Sequence, residues 1–339
     1  MFVIRFDMRA PGTGASNADQ YEAAIEMTAW AEGHGASMAF VCEHHGIDDG
    51  YLPSPLVLAT ALAARTSTLR IMVTVVVLPF YDPVRLAEDM VVLDLISRGR
   101  VSYVAGVGYR PEEYEHHGVD FHRRGRIAEE HLGVLLQAKT GAAFVHDGRR
   151  VRVTPAPYTA GGPRVAWGGG SVAAVRRAGR HGIGFFGQGG DPEALAQAYA
   201  EEARAHGHEP KFCFVPPPEM PTTIFVSDDV DAAWEELGPY LLHEVSGYSG
   251  FGPAVDGMVS VSGATTVEQL RAANRSHRIL TVDEAVELVR FGMPLTLQPL
   301  AGGLPPEIGW RYLRTVVDEV VPRVTPTPPT PDVGTQNGS

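Results

Sequence analysis

Short apolar runs alternate along this chain with segments long enough to form helices, and that alternation constrains the fold more tightly than any other feature. Residues 69–78, Leu-Arg-Ile-Met-Val-Thr-Val-Val-Val-Leu, are β-branched and almost wholly apolar, as suits a strand covered on both faces. Comparable runs lie at 2–6, 37–45, 100–107, 164–167, 183–186, 222–226 and 293–298. Helices are expected at about 19–33, 55–65, 82–97, 123–140, 171–180, 191–206, 229–241 and 306–321. The helix at 82–97 has the plainest punctuation, with Asp82-Pro83 to open it and Ser97-Arg98-Gly99 to close it. Repeated strand-helix order implies a parallel α/β sheet, and eight units close most simply as a (β/α)8 TIM barrel. A doubly wound open sheet is the second choice.

One barrel domain is expected over residues 1–324. The spacing breaks before the last strand, where residues 242–292 read as a long irregular insertion or lid. Residues 325–339 are Pro/Thr-rich and then Gly/Asn/Ser, too polar to pack, and are expected to be a disordered tail.

Charge removes several functions. The net charge is −12 with no basic block, so the electrostatic footprint of a nucleic-acid binder is missing. Cys42 and Cys213 are the only cysteines, too few for a disulfide scaffold or a cysteine-based zinc site, and in keeping with a reducing cytoplasm. No run approaches the ~20 apolar residues of a membrane span, and the N-terminus lacks a basic region followed by an apolar one, so neither a membrane anchor nor export is expected.

Chemistry concentrates where strands end. Residues 37–45, Ser-Met-Ala-Phe-Val-Cys-Glu-His-His, deliver Glu43, His44 and His45 to the carboxyl end of a buried strand, the rim on which parallel α/β sheets carry their active sites. Neighbouring residues of a strand face opposite ways, so one of the two histidines can sit squarely in the barrel mouth as a proton donor or acceptor. Hydrogen-bonded packing positions suit the same residues, and both readings stay open at this stage. Adjacent histidines do not share one ion as alternate strand positions do, so no metal site is expected. His116-His117 lies in a polar loop and reads as solvated.

Trp167-Gly168-Gly169-Gly170-Ser171 follows one strand and opens a helix. Helix-start N–H groups and the Ser171 hydroxyl there suit a phosphate, although a turn with Ser171 as helix cap has the same pattern. Gly106-Val107-Gly108 ends another strand and leaves room for a flat ligand. It is followed by Tyr109-Arg110-Pro111 rather than by a third glycine and a helix, which disfavours a classical dinucleotide fold. Neither a Gly-x-Ser-x-Gly elbow nor a Gly-Lys-Ser/Thr phosphate loop is present, against the common hydrolase and kinase routes.

Taken together, several stretches resemble the bacterial luciferase-like flavin-dependent monooxygenases. They are Cys42-Glu43-His44-His45, Val75-Val76-Val77-Leu78-Pro79 with Asp82 to Asp89, Leu93 to Arg100, Gly106-Val107-Gly108 with Glu113-Tyr114 and Gly118, Trp167 to Ser171 with Arg177-Ala178, and Gly302-Gly303-Leu304-Pro305. The block 40–118 is the specific part. The resemblance implies a (β/α)8 barrel, usually a homodimer, that binds reduced FMN supplied by a separate flavin reductase and uses it with O2 to oxidise a small organic substrate. It implies His44 as the catalytic histidine, with Glu43 beside it. The implied cofactor-binding set is Thr74, Val75, Gly106, Tyr109, Trp167, Gly169, Gly170 and Ser171, with a non-prolyl cis bond at Thr74–Val75 beneath the flavin ring and a mobile lid in 242–292.

Two departures qualify it. Luciferase itself has a cysteine and an arginine where this chain has Gly106 and Val107, so a cation near the phosphate is lost and light emission is not implied. Arg110 is the replacement the sequence offers. The family also holds deazaflavin-dependent hydride-transfer enzymes, the alternative function here, and a flavin-binding relative without activity is a third reading.

Overall fold

In a computed structural model of the chain, residues 1–12, 14–249 and 258–325 are described. Twelve strands occur among them: β1 (Phe2–Phe6), β2 (Ala36–Val41), β3 (Arg70–Val77), β4 (Val101–Gly106), β5 (Phe144–His146), β6 (Arg149–Val151), β7 (Arg164–Gly169), β8 (Gly184–Gly187), β9 (Cys213–Phe214), β10 (Thr223–Val226), β11 (His277–Leu280) and β12 (Leu295–Leu297). Ten form one parallel sheet in the order β11-β10-β12-β1-β2-β3-β4-β7-β8-β9. The last strand lies beside the first, with Phe2 opposite Leu295 and Ile4 opposite Leu297. From β1 the order then runs forward along the chain to β9, as in the (β/α)8 barrel expected from the sequence, while at the other end β10 lies between β12 and β11.

The helices form where local chemistry prepares them. Ser16 caps α1 (Asn17–Glu32) by accepting from the Asp19 N–H. α2 (Pro55–Arg65) follows. Asp82 caps α3 (Pro83–Ser97), accepting from the Val84 and Arg85 N–H groups. That helix ends with Arg98 and Gly99 both at positive φ, and the Gly99 N–H returns to the Asp94 carbonyl at 2.9 Å. After it come the short α4 (Pro111–His116), α5 (Arg124–Ala138), α6 (Val172–Arg180), α7 (Pro192–Ala205), α8 (Val230–Ser249), α9 (Val267–Ala273), α10 (Val282–Arg290) and α11 (Pro306–Thr315). Their apolar faces bury a core that runs from Phe2, Ile4 and Phe6 through Ile71, Val73 and Tyr103 to Trp167 and Phe185.

The structure departs from the sequence reading in the interval 242–292. Its described part is largely regular: α8 continues to Ser249, and α9, β11 and α10 follow. Ser246-Gly247 reads as loop because neither residue favours a helix interior. The glycine has a packing reason instead, since a Cβ there would lie 2.2 Å from Arg9 Nη1. Residues 250–257, within the expected lid, and 326–339, most of the expected tail, lie outside the described residues. The hairpin β5-β6 was also unanticipated, although Asp147-Gly148 between its strands, both at positive φ, is a standard two-residue turn signal.

Gly247→Ala is therefore expected to lower the free energy of unfolding by about 1–3 kcal/mol, the cost typical of overpacking, measured by urea denaturation. An unchanged transition midpoint would show that the Arg9 guanidinium moves aside freely.

Candidate active site

Glu43, His44 and His45 follow directly on the end of β2, and their side chains diverge. The His44 ring meets Tyr51 edge-on at 4.7 Å and Tyr109 at 5.5 Å. His45 packs instead against Phe80 and His117, at 5.5 and 4.5 Å. Of the two, His44 lines the cavity at the barrel mouth. Glu43 is buried and fully engaged: it accepts from the Val77 N–H (3.0 Å) and the Tyr81 hydroxyl (2.9 Å), and Oε1 lies 2.8 Å from His45 Nε2. It ties the end of β2 to the end of β3 and orients His45.

The partner of His44 is Glu113, on α4. Its Oε1 lies 2.7 Å from His44 Nδ1 and accepts from the His45 N–H at 3.0 Å and from Arg110 at 3.2 Å. Burial opposes the charge on Glu113, but these donors outweigh burial and hold its carboxyl below the usual range. Burial pushes the His44 pKa down, against the opposing pull of Glu113. A neutral imidazole beside an ionised carboxylate has one allowed arrangement, because a carboxylate only accepts. Nδ1 carries the proton and Nε2 presents its lone pair, 3.0 Å from the Tyr109 hydroxyl, which donates to it. Burial keeps the Tyr109 phenol well above its ordinary pKa, so a proton sits on Tyr109 at the cavity surface with a base behind it.

Two lobes meet at this point. One, of about 200 Å³, is lined by Thr74, Val75, His44 and Tyr109, with Phe186 and Phe214 among its other walls. The second, of about 550 Å³, is lined by Gly106, Trp167, Gly169, Gly170 and Ser171. Val75, Gly108, Tyr109, Gln188 and Met258 belong to both. All eight residues that the resemblance assigns to a cofactor therefore line one two-lobed depression. The Thr74–Val75 peptide is cis, where the resemblance places such a bond.

The second lobe gathers groups whose chemistry suits an anion. Ser171 caps α6, its hydroxyl accepting from the Ala174 N–H, and Gly169 has φ 147° with Ala174 Cβ only 2.8 Å from where its own Cβ would be. Arg124 and Arg177 both line this lobe. Arg177 is braced by Glu129 at 2.7 Å and lies 5.0 Å over the Trp167 ring, whose buried Nε1 has no hydrogen-bond partner among the described residues. Arg110, the replacement cation expected from sequence, turns the other way, to the Glu113 carboxylate and the His45 carbonyl. Two guanidinium groups, a helix start and a backbone kept open by glycine fit a flavin phosphate, with the apolar Val75 surface in place for its ring.

Arg124, Glu113, Tyr51 and Tyr248 were not singled out as site residues from sequence. Arg110-Pro111-Glu112-Glu113 does carry a helix-start signal, proline with acidic residues in the first turn, but which glutamate meets His44 is decided by the tertiary fold. Among the described residues no group of His, Cys, Asp and Glu could hold a metal ion, and no helix is long and apolar enough to cross a membrane.

Residues 1–290 match the family described as luciferase-like monooxygenase. Among solved structures, the monooxygenase RslO1 of Streptomyces bottropensis is similar with a TM-score of 0.71 and 21% identity, over 96% of this chain and 100% of that one. The oxygenating constituent of 3,6-diketocamphane monooxygenase of Pseudomonas putida, in complex with FMN, gives 0.66 and 19%, over 96% and 98%. The coenzyme F420-dependent tetrahydromethanopterin reductase of Methanopyrus kandleri gives 0.60 and 16%, over 96% and 99%. At these identities the likeness is one of fold. The chain spans about half the length, or less, of the curated relatives it matches, from 41% to 52% of theirs.

The Glu113 contribution to stability has a definite pH window. A carboxyl held below its unfolded value stabilises the fold above about pH 4.5, and that part is lost as pH falls through the folded value. Glu113→Gln should cost roughly 2 kcal/mol at pH 7, and the gap to the unsubstituted protein should narrow as pH falls below about 4.5. A gap independent of pH, in urea unfolding at each pH, would contradict an ionised Glu113.

Proposed function

Because the chain belongs to the luciferase-like monooxygenase family, we propose that it is a flavin-dependent monooxygenase that uses reduced FMN and O2 to oxidise a small organic substrate. The observation that carries this reading is the placement of the Glu113–His44–Tyr109 chain at the junction of the two lobes, one suited to an anion and the other to an apolar molecule. Reduced flavin, when bound, supplies the electrons that activate oxygen. In this reading Gly169, Gly170 and Ser171 would hold the phosphate, with Arg124 and Arg177 to balance its charge, and Thr74, Val75, Gly106 and Trp167 would hold the ring.

The protein's own task is to move one proton and exclude water. The Tyr109 oxygen takes a proton from a group in the cavity as its own O–H proton passes to His44 Nε2, which Glu113 orients through Nδ1, and the same path returns that proton. Glu43 lines the same lobe as His44, and in this reading it holds the strand end and His45 in place beside the reacting groups. A separate reductase as the source of reduced FMN, a homodimer, a cytoplasmic location and a lid built from part of 242–292 belong to the same proposal. FMN is preferred to deazaflavin on the likeness of Glu43-His44-His45 to the oxygen-using branch.

Anaerobic titration with reduced FMN and, separately, with reduced deazaflavin, followed by admission of oxygen, tests the reading. Reduced FMN should bind, and substrate-dependent oxygen consumption should fall about 100-fold in His44→Ala, the lower range for loss of a positioned proton-transfer group. The acid limb of the kcat/KM profile should lie below pH 6.5, because His44 must be neutral to accept and its pKa is lowered by burial. Binding of deazaflavin alone, without an oxygen-dependent step, would move the chain to hydride transfer.

A further inference from the structure

Arg5 stands on β1 beside Phe40 of β2 and lines the same apolar lobe as His44. Its side chain is only 12% exposed. A guanidinium has five N–H donors, yet the one hydrogen bond it makes among the described residues is from Nη2 to the Tyr248 hydroxyl, at 3.2 Å. Glu244 Oε1 is 3.8 Å from Nη1, an ion pair beyond hydrogen-bond length, and the other Glu244 oxygen is 3.2 Å from His277 Nε2. A nearly buried cation with most of its donors unused is costly unless something supplies acceptors.

The surroundings extend that demand. The Tyr248 hydroxyl lies 2.8 Å from that of Tyr51, and both tyrosines line the lobe. Behind them Arg9, bound to Asp49 at 2.7 Å, lies 4.6 Å over the Tyr51 ring and 5.2 Å over the Tyr248 ring. One end of the lobe thus presents a cation and two hydroxyls, with a second cation in support. Phe40, Phe186, Phe214, Met220, Pro221 and Met258 give the remainder an apolar, partly aromatic lining.

We propose that this lobe takes an apolar organic anion, whose carboxylate or phenolate oxygen is received by Arg5 together with the Tyr51–Tyr248 hydroxyl pair. The inference rests on the monooxygenase reading of the site and names the class of its substrate. A neutral amide of the same shape satisfies some donors but leaves the charge unmatched, whereas a carboxylate accepts two bonds from one guanidinium. Arg5 is thereby a specificity-determining residue: it fixes the polar end of the substrate and leaves the apolar body against the walls of the lobe, near His44 and Tyr109.

Two probes of matched shape, 1-naphthoate and 1-naphthamide, separate charge from bulk. They would be titrated by calorimetry into the full chain with and without FMN, and FMN binding would be followed separately by flavin fluorescence. Naphthoate should bind at least about tenfold more tightly than naphthamide, and Arg5→Met should abolish that preference while changing naphthamide by less than about threefold. Arg5→Lys should keep part of the preference. Because Arg5→Met leaves Glu244 without its cation, the double variant Arg5→Met with Glu244→Gln is measured beside it, and thermal melting identifies any variant that fails to fold. Absence of naphthoate binding, equal binding of the two probes, or equal weakening of both in the folded Arg5 variants overturns the proposal. So does loss of FMN binding in Arg5→Met with naphthoate binding intact, which would assign Arg5 to the flavin. Arg5-dependent naphthoate binding by a protein that takes no reduced FMN would contradict the monooxygenase reading while supporting the anion site.

Discussion

The bond between the Glu113 carboxylate and His44 Nδ1 is the interaction on which the site depends. A carboxylate that is 1% exposed keeps its charge only while its donors stay in place, and here they come from two stretches: His44 and the His45 amide at the end of β2, and Arg110 before α4. The same bond decides which nitrogen of His44 is basic. Removing one partner from such a buried hydrogen-bonded arrangement costs roughly 2 kcal/mol, enough that the loop from β4 into α4 and the end of β2 must be arranged as one unit.

The barrel supplies that arrangement by bringing strand ends together. β2 delivers Glu43 to His45, β3 delivers Thr74 and Val75, β4 delivers Gly106 to Tyr109, and β7 delivers Trp167 to Ser171. Each belongs to a different strand-helix unit, so chemistry at the rim is assembled from segments far apart in sequence. Beside β2, β1 carries Arg5, and α8 reaches across with Glu244 and Tyr248. Burial raises the Asp7 carboxyl to about 6, with the neighbouring Glu244 charge acting in the same direction, whereas the His277 and Arg5 contacts hold Glu244 at about 2 against its burial. The strand that opens the chain thus carries a polar network beneath the mouth, and Gly247 gives Arg9 the space it needs within it.

Much of this was legible in sequence, for identifiable reasons. The parallel strands announce themselves because burial on both faces makes them continuously apolar, as in Arg70–Val77, and the helix at Pro83–Ser97 carries its caps in plain view. The rim residues were legible because a strand-end position is a local property. Partnership was not: Glu113 lies 69 residues from His44, and Glu112 beside it has the same local pattern. The direction of Arg110 is likewise a tertiary matter. The stretch 242–292 misled because its strand, His277–Leu280, has four residues and follows a charged helix end, and because Gly247 is in its helix for the sake of a distant arginine.

The central claim is that Glu113 fixes His44 as a neutral imidazole protonated on Nδ1, with Nε2 basic toward Tyr109. Nitrogen-15 NMR of the imidazole measures this directly in protein labelled at histidine, with His44→Gln to assign the resonances. At pH 7 the His44 Nδ1 should give the shift of a protonated nitrogen and Nε2 that of a bare one, with Glu113→Gln perturbing Nδ1 first. A proton on Nε2, or an imidazolium at pH 7, would contradict the account.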